Sequence, residues 1–349
     1  MDRARQKAAA ENQLLSGVAA PLHQTPYHLR VRNHLPVRNH FLSAITCASA
    51  ALDTAEPTAH TKIMIAAPHP GEVASSGGTP LDLAQLIAER RPVIMGVLNV
   101  TPDSFSDGGR FLDPGAAIVH AKAMIDEGAD IIDIGAESSR PYGNPVAVTA
   151  DEERRRLETV LPAVAHLGRP VSIDTTKASV AAWALQNGAA MVNDVWGLQR
   201  DSDMAGVVAG HGVAVIIMHN RDAADPDIDI FADLDAFFAR SLAIAAAAGI
   251  RRDAIVLDPG VGFGKTPEQS ITVIARLDRL GKFGLPVLVG ASRKRFIHWL
   301  APAPPERRLG GSIAAHVMAV ENGAAIVRAH DIAETVQAMR IMAAIRSRA

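Results

Sequence analysis

The chain has 349 residues, 48% of them hydrophobic, a net charge of −2 and a single cysteine. That length suits one large domain or two small ones with ample core, and the near-neutral balance gives no reason to expect a nucleic-acid or membrane-surface partner. Cys47 alone excludes an internal disulfide framework and a cysteine-built zinc site, and it fits a reducing compartment. No apolar run nears the roughly 18 residues of a membrane span, and the polar start Met1-Asp2-Arg3-Ala4-Arg5-Gln6-Lys7 is not a secretory signal. The expectation is a soluble cytoplasmic protein.

Residues 1–60 show no sustained period and mix His, Arg and Pro; they are expected to form a poorly ordered N-terminal extension. Met64 is a rival initiator, and the sparse acids there also fit a mitochondrial-type presequence. Residues 61–90, with Ser75-Ser76-Gly77-Gly78-Thr79-Pro80, read as a linker and barrel-capping segment. From 91 to 349 short β-branched runs alternate with helical patterns. The runs are Val93–Val100, Ile131–Glu137, Pro170–Thr175, Met191–Val195, Ala214–His219, Ile255–Gly260, Pro286–Ser292 and Ala325–His330. Helical patterns cover 114–127, 151–167, 177–187, 203–210, 232–248, 267–280, 306–322 and 331–346. Asp113-Pro114 and Thr266-Pro267 are helix starts, and Gly128, Gly188, Gly249 and Gly323 stand where helices end. A doubly wound sheet also alternates, but eight units over about 260 residues fit a (β/α)8 TIM barrel.

Strands buried on both faces should be apolar throughout. Here nearly every run ends in polar groups: Asn99, Glu137, Asp174, Asn193 with Asp194, then His219, Asp258, Ser292, Arg328 and His330. A barrel carries its active site at that end of its strands, so a shared pocket is expected there. Gly260-Val261-Gly262-Phe263-Gly264-Lys265-Thr266 is not a Walker loop, because the first glycine of that motif would fall at Pro259. Its glycines are expected to let backbone pass close to a ligand.

Asn99-Val100-Thr101-Pro102-Asp103-Ser104-Phe105-Ser106-Asp107-Gly108-Gly109 resembles the first signature of the dihydropteroate synthases, and Gly135-Ala136-Glu137-Ser138-Ser139-Arg140-Pro141 the second. Ser172-Ile173-Asp174-Thr175, Val192-Asn193-Asp194, Leu257-Asp258-Pro259-Gly260, Ser292-Arg293-Lys294 and Val327-Arg328-Ala329-His330-Asp331 follow in the family's order. The resemblance implies a transferase of folate biosynthesis and a sulfonamide target. It joins 6-hydroxymethyl-7,8-dihydropterin pyrophosphate to 4-aminobenzoate with release of pyrophosphate. The implied route is dissociative and uses Mg2+. The implied partners are these small molecules and a second copy of the chain.

Carried over position by position, the resemblance implies that Asp174, Asn193, Asp258, Lys294 and Met218 hold the pterin. A carboxylate suits its paired N–H groups in a bidentate arrangement, an amide donates and accepts at once, and Asp174 stabilises the developing cation. Asn99, Arg328 and His330 match the pyrophosphate set, with Asn99 near the metal. Phe105, Asp107, Ser139 and Arg140 match two loops that close over the substrates, and Pro141 and Phe263 flank the aminobenzoate ring. Asp174, Lys294, Arg140 and Asp107 form the implied catalytic group.

Three positions depart from the family pattern. Arg295 replaces a small hydroxyl residue thought to bind the aminobenzoate carboxylate, Tyr142 replaces a glycine, and Met218-His219-Asn220-Arg221 replaces Met-His-Met. Arg295 either pairs with that carboxylate itself or leaves it to helix-start amides. Late-helix residues Ile313, Ala314, Val317 and Met318 suit a dimer contact or packing on the barrel. Two other functions compete. A corrinoid-linked pterin methyltransferase has no need of Arg328, His330 or the Ser-Ser-Arg-Pro loop. A non-catalytic pterin-binding paralogue would bind pterin without turnover.

Overall fold

A computed structural model of the chain describes residues 81–88, 92–101, 113–137 and 148–348. Eight parallel strands run in sequence: β1 (Val93–Asn99), β2 (Ile131–Gly135), β3 (Val171–Asp174), β4 (Met191–Asp194), β5 (Ala214–Met218), β6 (Ile255–Asp258), β7 (Leu288–Val289) and β8 (Ile326–Ala329). Their order is β6-β5-β4-β3-β2-β1-β8-β7. The remaining gap is closed by a parallel bridge from Leu257 to Val287, where the Leu257 N–H donates to the Pro286 carbonyl at 2.9 Å. This is the (β/α)8 barrel expected from the alternation. Among the described residues no helix is long and apolar enough to cross a membrane.

The helices are α1 (Leu83–Ala88), α2 (Pro114–Glu127), α3 (Ala150–Leu157), α4 (Val160–Ala165), α5 (Ala178–Gln186), α6 (Met204–His211), α7 (Ile230–Ala248), α8 (Pro267–Ala275), α9 (Arg295–Leu300), α10 (Leu309–Glu321) and α11 (Ile332–Arg346). Local chemistry sets their starts. Asp113 Oδ1 accepts from the Gly115 N–H at 2.9 Å ahead of Pro114, and Thr266 and Gln269 close a reciprocal capping box at the head of α8. The helical pattern over 151–167 divides into α3 and α4. Pro162 has no N–H to offer the Glu158 carbonyl one turn back, so the helix breaks there. The run Pro286–Ser292 contributes only two residues to the ladder, because Pro286 has no amide proton and the chain turns away after Gly290. α9 fills part of the β7-to-β8 crossover, where the sequence showed no separate helix.

Side-chain direction alternates along each strand. Val93, Met95, Ile131, Met191, Ile216 and Val256 belong to a cluster in the barrel lumen, and Leu83 of α1 packs with it. Ile94, Ile132, Val192, Val215 and Leu257 face the helices in a much larger outer cluster. The inward parity governs what reaches the site.

Candidate active site

Two residues further along several strands, the inward positions turn from apolar to polar. Ile131 is followed by Asp133, Met191 by Asn193, Val256 by Asp258 and Ile326 by Arg328, while β3 presents Ser172 and then Asp174. Above these positions lies a small cavity at the top of the barrel. Asp174, Asn193, Asp258, Lys294 and Arg328 all line it, and Met218 and Phe263 give it an apolar wall. One cavity therefore gathers the five polar residues named from five separate sequence segments.

Its electrostatics are dominated by carboxylates. Arg328 donates from Nε to Asp133 Oδ2 at 2.6 Å and from Nη2 to Asp174 Oδ2 at 3.0 Å. Burial pushes Asp174 up to about 7; the Asp133 charge adds to this and the Arg328 guanidinium opposes it. Asp258 is pushed up to about 6 by burial, against the Gly260 N–H that donates to its Oδ1 at 2.7 Å and the nearby Lys294 charge. Three carboxylates (Asp133, Asp174 and Asp258) thus stand against two cations (Arg328 and Lys294) in a largely dehydrated site. Such a site favours a ligand that becomes positive as it reacts.

The Ser292-Arg293-Lys294 segment delivers the lysine by fixing its neighbours. Arg293 adopts φ 58°, a conformation uncommon outside glycine, and its backbone is held by the Ser312 hydroxyl at 2.9 Å and by Arg308 Nη1 on its carbonyl at 2.9 Å. Its side chain turns away to a forked pair with Asp331. Lys294 then points inward, with Nζ 3.8 Å from the centroid of the Phe263 ring, a cation–π contact.

The glycine-rich loop after β6 is built for close approach, but chiefly to protein. At φ 65° Gly260 lies so near β5 that a Cβ there would sit 2.0 Å from the His219 carbonyl oxygen, and one on Gly264 would sit 2.4 Å from the Arg221 Cβ. Gly260 also lines the cavity, so at this position the close approach of backbone to a ligand expected from the sequence remains open. Lys265 is not a phosphate-binding lysine. It is buried, donating to His219 Nδ1 at 2.7 Å and the Phe263 carbonyl at 3.1 Å, while His219 Nε2 meets Asp233 at 2.9 Å. Burial lowers Lys265 to about 7, and burial with the adjacent lysine lowers His219 to about 3.

Other strand-end groups do not line the cavity. Asp194 accepts from the Trp196 and Leu198 N–H groups at 2.9 and 2.7 Å. Glu137 pairs with Lys177, which also reaches the buried Glu153 at 2.8 Å. Asn99 is half-buried at the end of β1 and does not line the cavity. His330 also lies off the lining, with its Nδ1 2.9 Å from Ser292 Oγ. Arg295 begins α9 as an exposed residue outside the cavity. Phe105, Asp107, Ser139, Arg140, Pro141 and Tyr142 lie outside the described residues, as does the 1–60 extension.

Asp133 and Lys265 are the buried charges that the sequence reading did not assign to the site. Asp133 carried a signal, a carboxylate inside the run Ile131-Ile132-Asp133-Ile134 at inward parity. Among the described residues no three His, Cys, Asp or Glu side chains gather as a metal cage. The Asn99 amide oxygen is a hard donor of the kind Mg2+ accepts beside phosphate oxygens.

Residues 95–330 match the family described as pterin binding enzyme. The dihydropteroate synthase of Bacillus subtilis is 42% identical over 258 residues, covering 74% of this chain and 90% of that protein. Its Escherichia coli K12 counterpart is 40% identical over 277 residues, covering 77% and 95%. A crystal structure of the Clostridium difficile dihydropteroate synthase in the presence of pteroic acid shares 49% identity, with TM-score 0.70, over 73% of this chain and 97% of that one. The Xanthomonas albilineans enzyme with 4-aminobenzoic acid shares 40% identity, with TM-score 0.71, over 74% and 94%. With the barrel, the cavity and these relatives in agreement, the chain belongs to the dihydropteroate synthase family of pterin-binding enzymes.

Proposed function

We propose that the cavity performs the family's transfer by a dissociative route, with the pterin ring seated among Asp258, Asn193 and Lys294 and the reacting methylene beside Asp174. The enzyme is a transferase of folate biosynthesis; what is proposed is how its residues divide the work. The Asp258 carboxylate accepts the ring N–H and the exocyclic amino group in parallel, charge-assisted bonds. Asn193 and Lys294 complete the polar edge, and Met218 and Phe263 pack on the ring faces. The methylene C–O bond breaks with its electron pair leaving on the diphosphate, and the resulting cation lies against the carboxylate-rich base of the cavity. The aminobenzoate nitrogen then forms the new C–N bond and gives up a proton to solvent.

Arg328 retains N–H donors beyond the two used on Asp133 and Asp174; these, with His330, serve the diphosphate. Asn99 would contribute one amide oxygen to a Mg2+ ion arriving on the diphosphate, an ion that supplies charge neutralisation on the leaving oxygens. Arg140, Asp107, Phe105 and Ser139 are assigned to the closed state that keeps water from the cation, and Pro141 and Phe263 to the aminobenzoate ring. Arg295, exposed at the head of α9, is assigned to the aminobenzoate carboxylate rather than to the pterin. The chain is assigned as a homodimer through α9 and α10. An apolar groove there is lined by Ile274, Phe296, Ile297, Ala314 and Met318, with Trp299, Leu300 and Met318 each at least half exposed.

The observation that carries this reading is the meeting of Asp174, Asn193, Asp258, Lys294 and Arg328 in one cavity. The test is direct: dihydropterin pyrophosphate, 4-aminobenzoate and Mg2+ are supplied and dihydropteroate is followed. Turnover that stops on omitting Mg2+ supports the assignment, whereas tight pterin binding without product identifies a non-catalytic paralogue.

A further inference from the structure

The division of labour above leaves Asp133 without a task. It lies mid-strand between isoleucines, wholly buried, and a carboxylate there is costly unless its partners need it. Its Oδ2 accepts from Arg328 Nε at 2.6 Å and from Asn193 Nδ2 at 3.0 Å. Strands β2, β4 and β8 therefore meet at one oxygen, and both donors belong to side chains that line the cavity.

We propose that Asp133 is a positioning residue that works from beneath the cavity, holding the Arg328 guanidinium in place and fixing the Asn193 amide with its NH2 downward and its carbonyl oxygen reserved for the pterin edge. The physical reason is the near-symmetry of a primary amide. Rotated by half a turn it fills the same space with donor and acceptor exchanged, so only a partner of definite character fixes which end the ligand meets. An ionised carboxylate only accepts, so the Asn193 NH2 must face it. Asn193 Oδ1 is buried and has no partner among the described residues. That is the state expected of an acceptor kept for a ligand N–H, because burying it unpaired is unfavourable in the free protein.

Asp133 also acts on Asp174 through charge. The groups facing Asp174 are Asp133 from β2, Arg328 from β8, Glu153 from α3 and Asp194 from β4. After burial, Asp133 is the largest influence keeping Asp174 protonated up to about 7. One guanidinium shared by two carboxylates therefore places the proton equilibrium of the site partly under the control of a residue that does not line the cavity.

This inference rests on the seating of the pterin proposed above, and two variants of Asp133 separate its parts. Asp133→Asn keeps the shape and an acceptor but removes the charge, and the acid limb of kcat/KM for the pterin substrate is expected to move to lower pH. Asp133→Leu removes the acceptor as well, and pterin affinity by calorimetry is expected to fall at least about tenfold, each tenfold being about 1.4 kcal/mol. A purely structural role would lower the melting temperature and leave the pH profile and affinity where they were; that result, in either variant, overturns the proposal. If neither variant folds, [15N]arginine-labelled wild-type protein decides. One exchange-protected Nε–H resonance, absent in Arg328→Lys, supports the bond to Asp133, and its absence from the wild type overturns it. If the pterin sits elsewhere, Asp258→Ala leaves pterin affinity intact; if only the Asp133 inference is wrong, Asp258→Ala still abolishes it.

Discussion

Replacing Asp258 by Ala should abolish pterin binding without harming the fold. The carboxylate is 5% exposed, with one structural bond, from the Gly260 N–H at 2.7 Å. A hydrogen bond to a charged group contributes about 1.5–3 kcal/mol, so losing both parallel bonds costs about 3–6 kcal/mol of affinity, roughly 10²–10⁴ in Kd. Stability moves the other way. Burial raises Asp258 from the usual 3.8 to about 6, so above that pH the folded protein carries a charge it holds less readily than the unfolded chain. The penalty is fully present above about 6 and vanishes below the unfolded value, and its size at neutral pH is about 3 kcal/mol. The lost Gly260 bond takes back about 1 kcal/mol. Asp258→Ala should therefore melt no lower than wild type at pH 7.5, with any advantage closing as pH falls toward 4. Calorimetric titration with dihydropterin pyrophosphate, alongside thermal unfolding at both pH values, measures each half. A Kd equal to wild type in a folded variant would refute the assignment, and a collapse in melting temperature would refute the electrostatic reasoning.

The same logic applies at Asp174. Asp174→Asn should keep pterin affinity but lose about 10²–10³ in kcat, the usual loss for one pre-organised charge-stabilising group. Wild-type kcat/KM should rise with pH through about 7 as this carboxylate ionises, and a flat profile would contradict that. Gly260→Ala places a Cβ 2.0 Å from the His219 carbonyl oxygen at φ 65°; denaturant unfolding should show a loss above about 3 kcal/mol, together with weakened pterin binding. Arg140→Ala should spare pterin affinity and abolish turnover, since its assigned task is in the closed state; equal loss of both would remove that task. Met318→Glu introduces a charge into the α9–α10 groove and, if the proposed homodimer forms there, should give monomer in sedimentation where wild type gives dimer, whereas an unchanged dimer mass would place the contact elsewhere.

The barrel was legible because strand and helix periods differ and because proline and capping residues mark the starts. Thr266-Pro267 predicted α8, and the capping box is its physical counterpart. The break before Pro162 and the shortness of β7 were less visible, since both depend on which backbone groups find partners in three dimensions. Within the site, reading polar residues at strand ends found Asp174, Asn193, Asp258 and Arg328 together. The same rule wrongly included Asp194 and Glu137, which satisfy a turn and a lysine. Asp194 has the outward parity, directly after inward Asn193, whereas Glu137 shares the inward parity of Ile131 and Asp133 but lies beyond the end of β2. Asp133 was missed because it sits mid-strand, two positions below the rim, where a rule about ends does not look. The Lys265–His219–Asp233 chain was beyond reach, since it joins β5, α7 and the loop after β6 across positions with no sequence spacing in common.

The seam between β6 and β7 has a thermodynamic consequence. Every other neighbouring pair of strands shares a ladder, but these two are joined at Leu257–Val287 alone. Asp258 stands immediately after Leu257 on one lip, and Lys294 follows β7 on the other. A flat molecule bonded to both acts as a clasp across the weakest edge of the cylinder. Amide protons of Leu257 and Leu288 should then exchange by seam opening when the site is empty and slow markedly on occupancy, so that bound pterin becomes part of what keeps the cylinder shut.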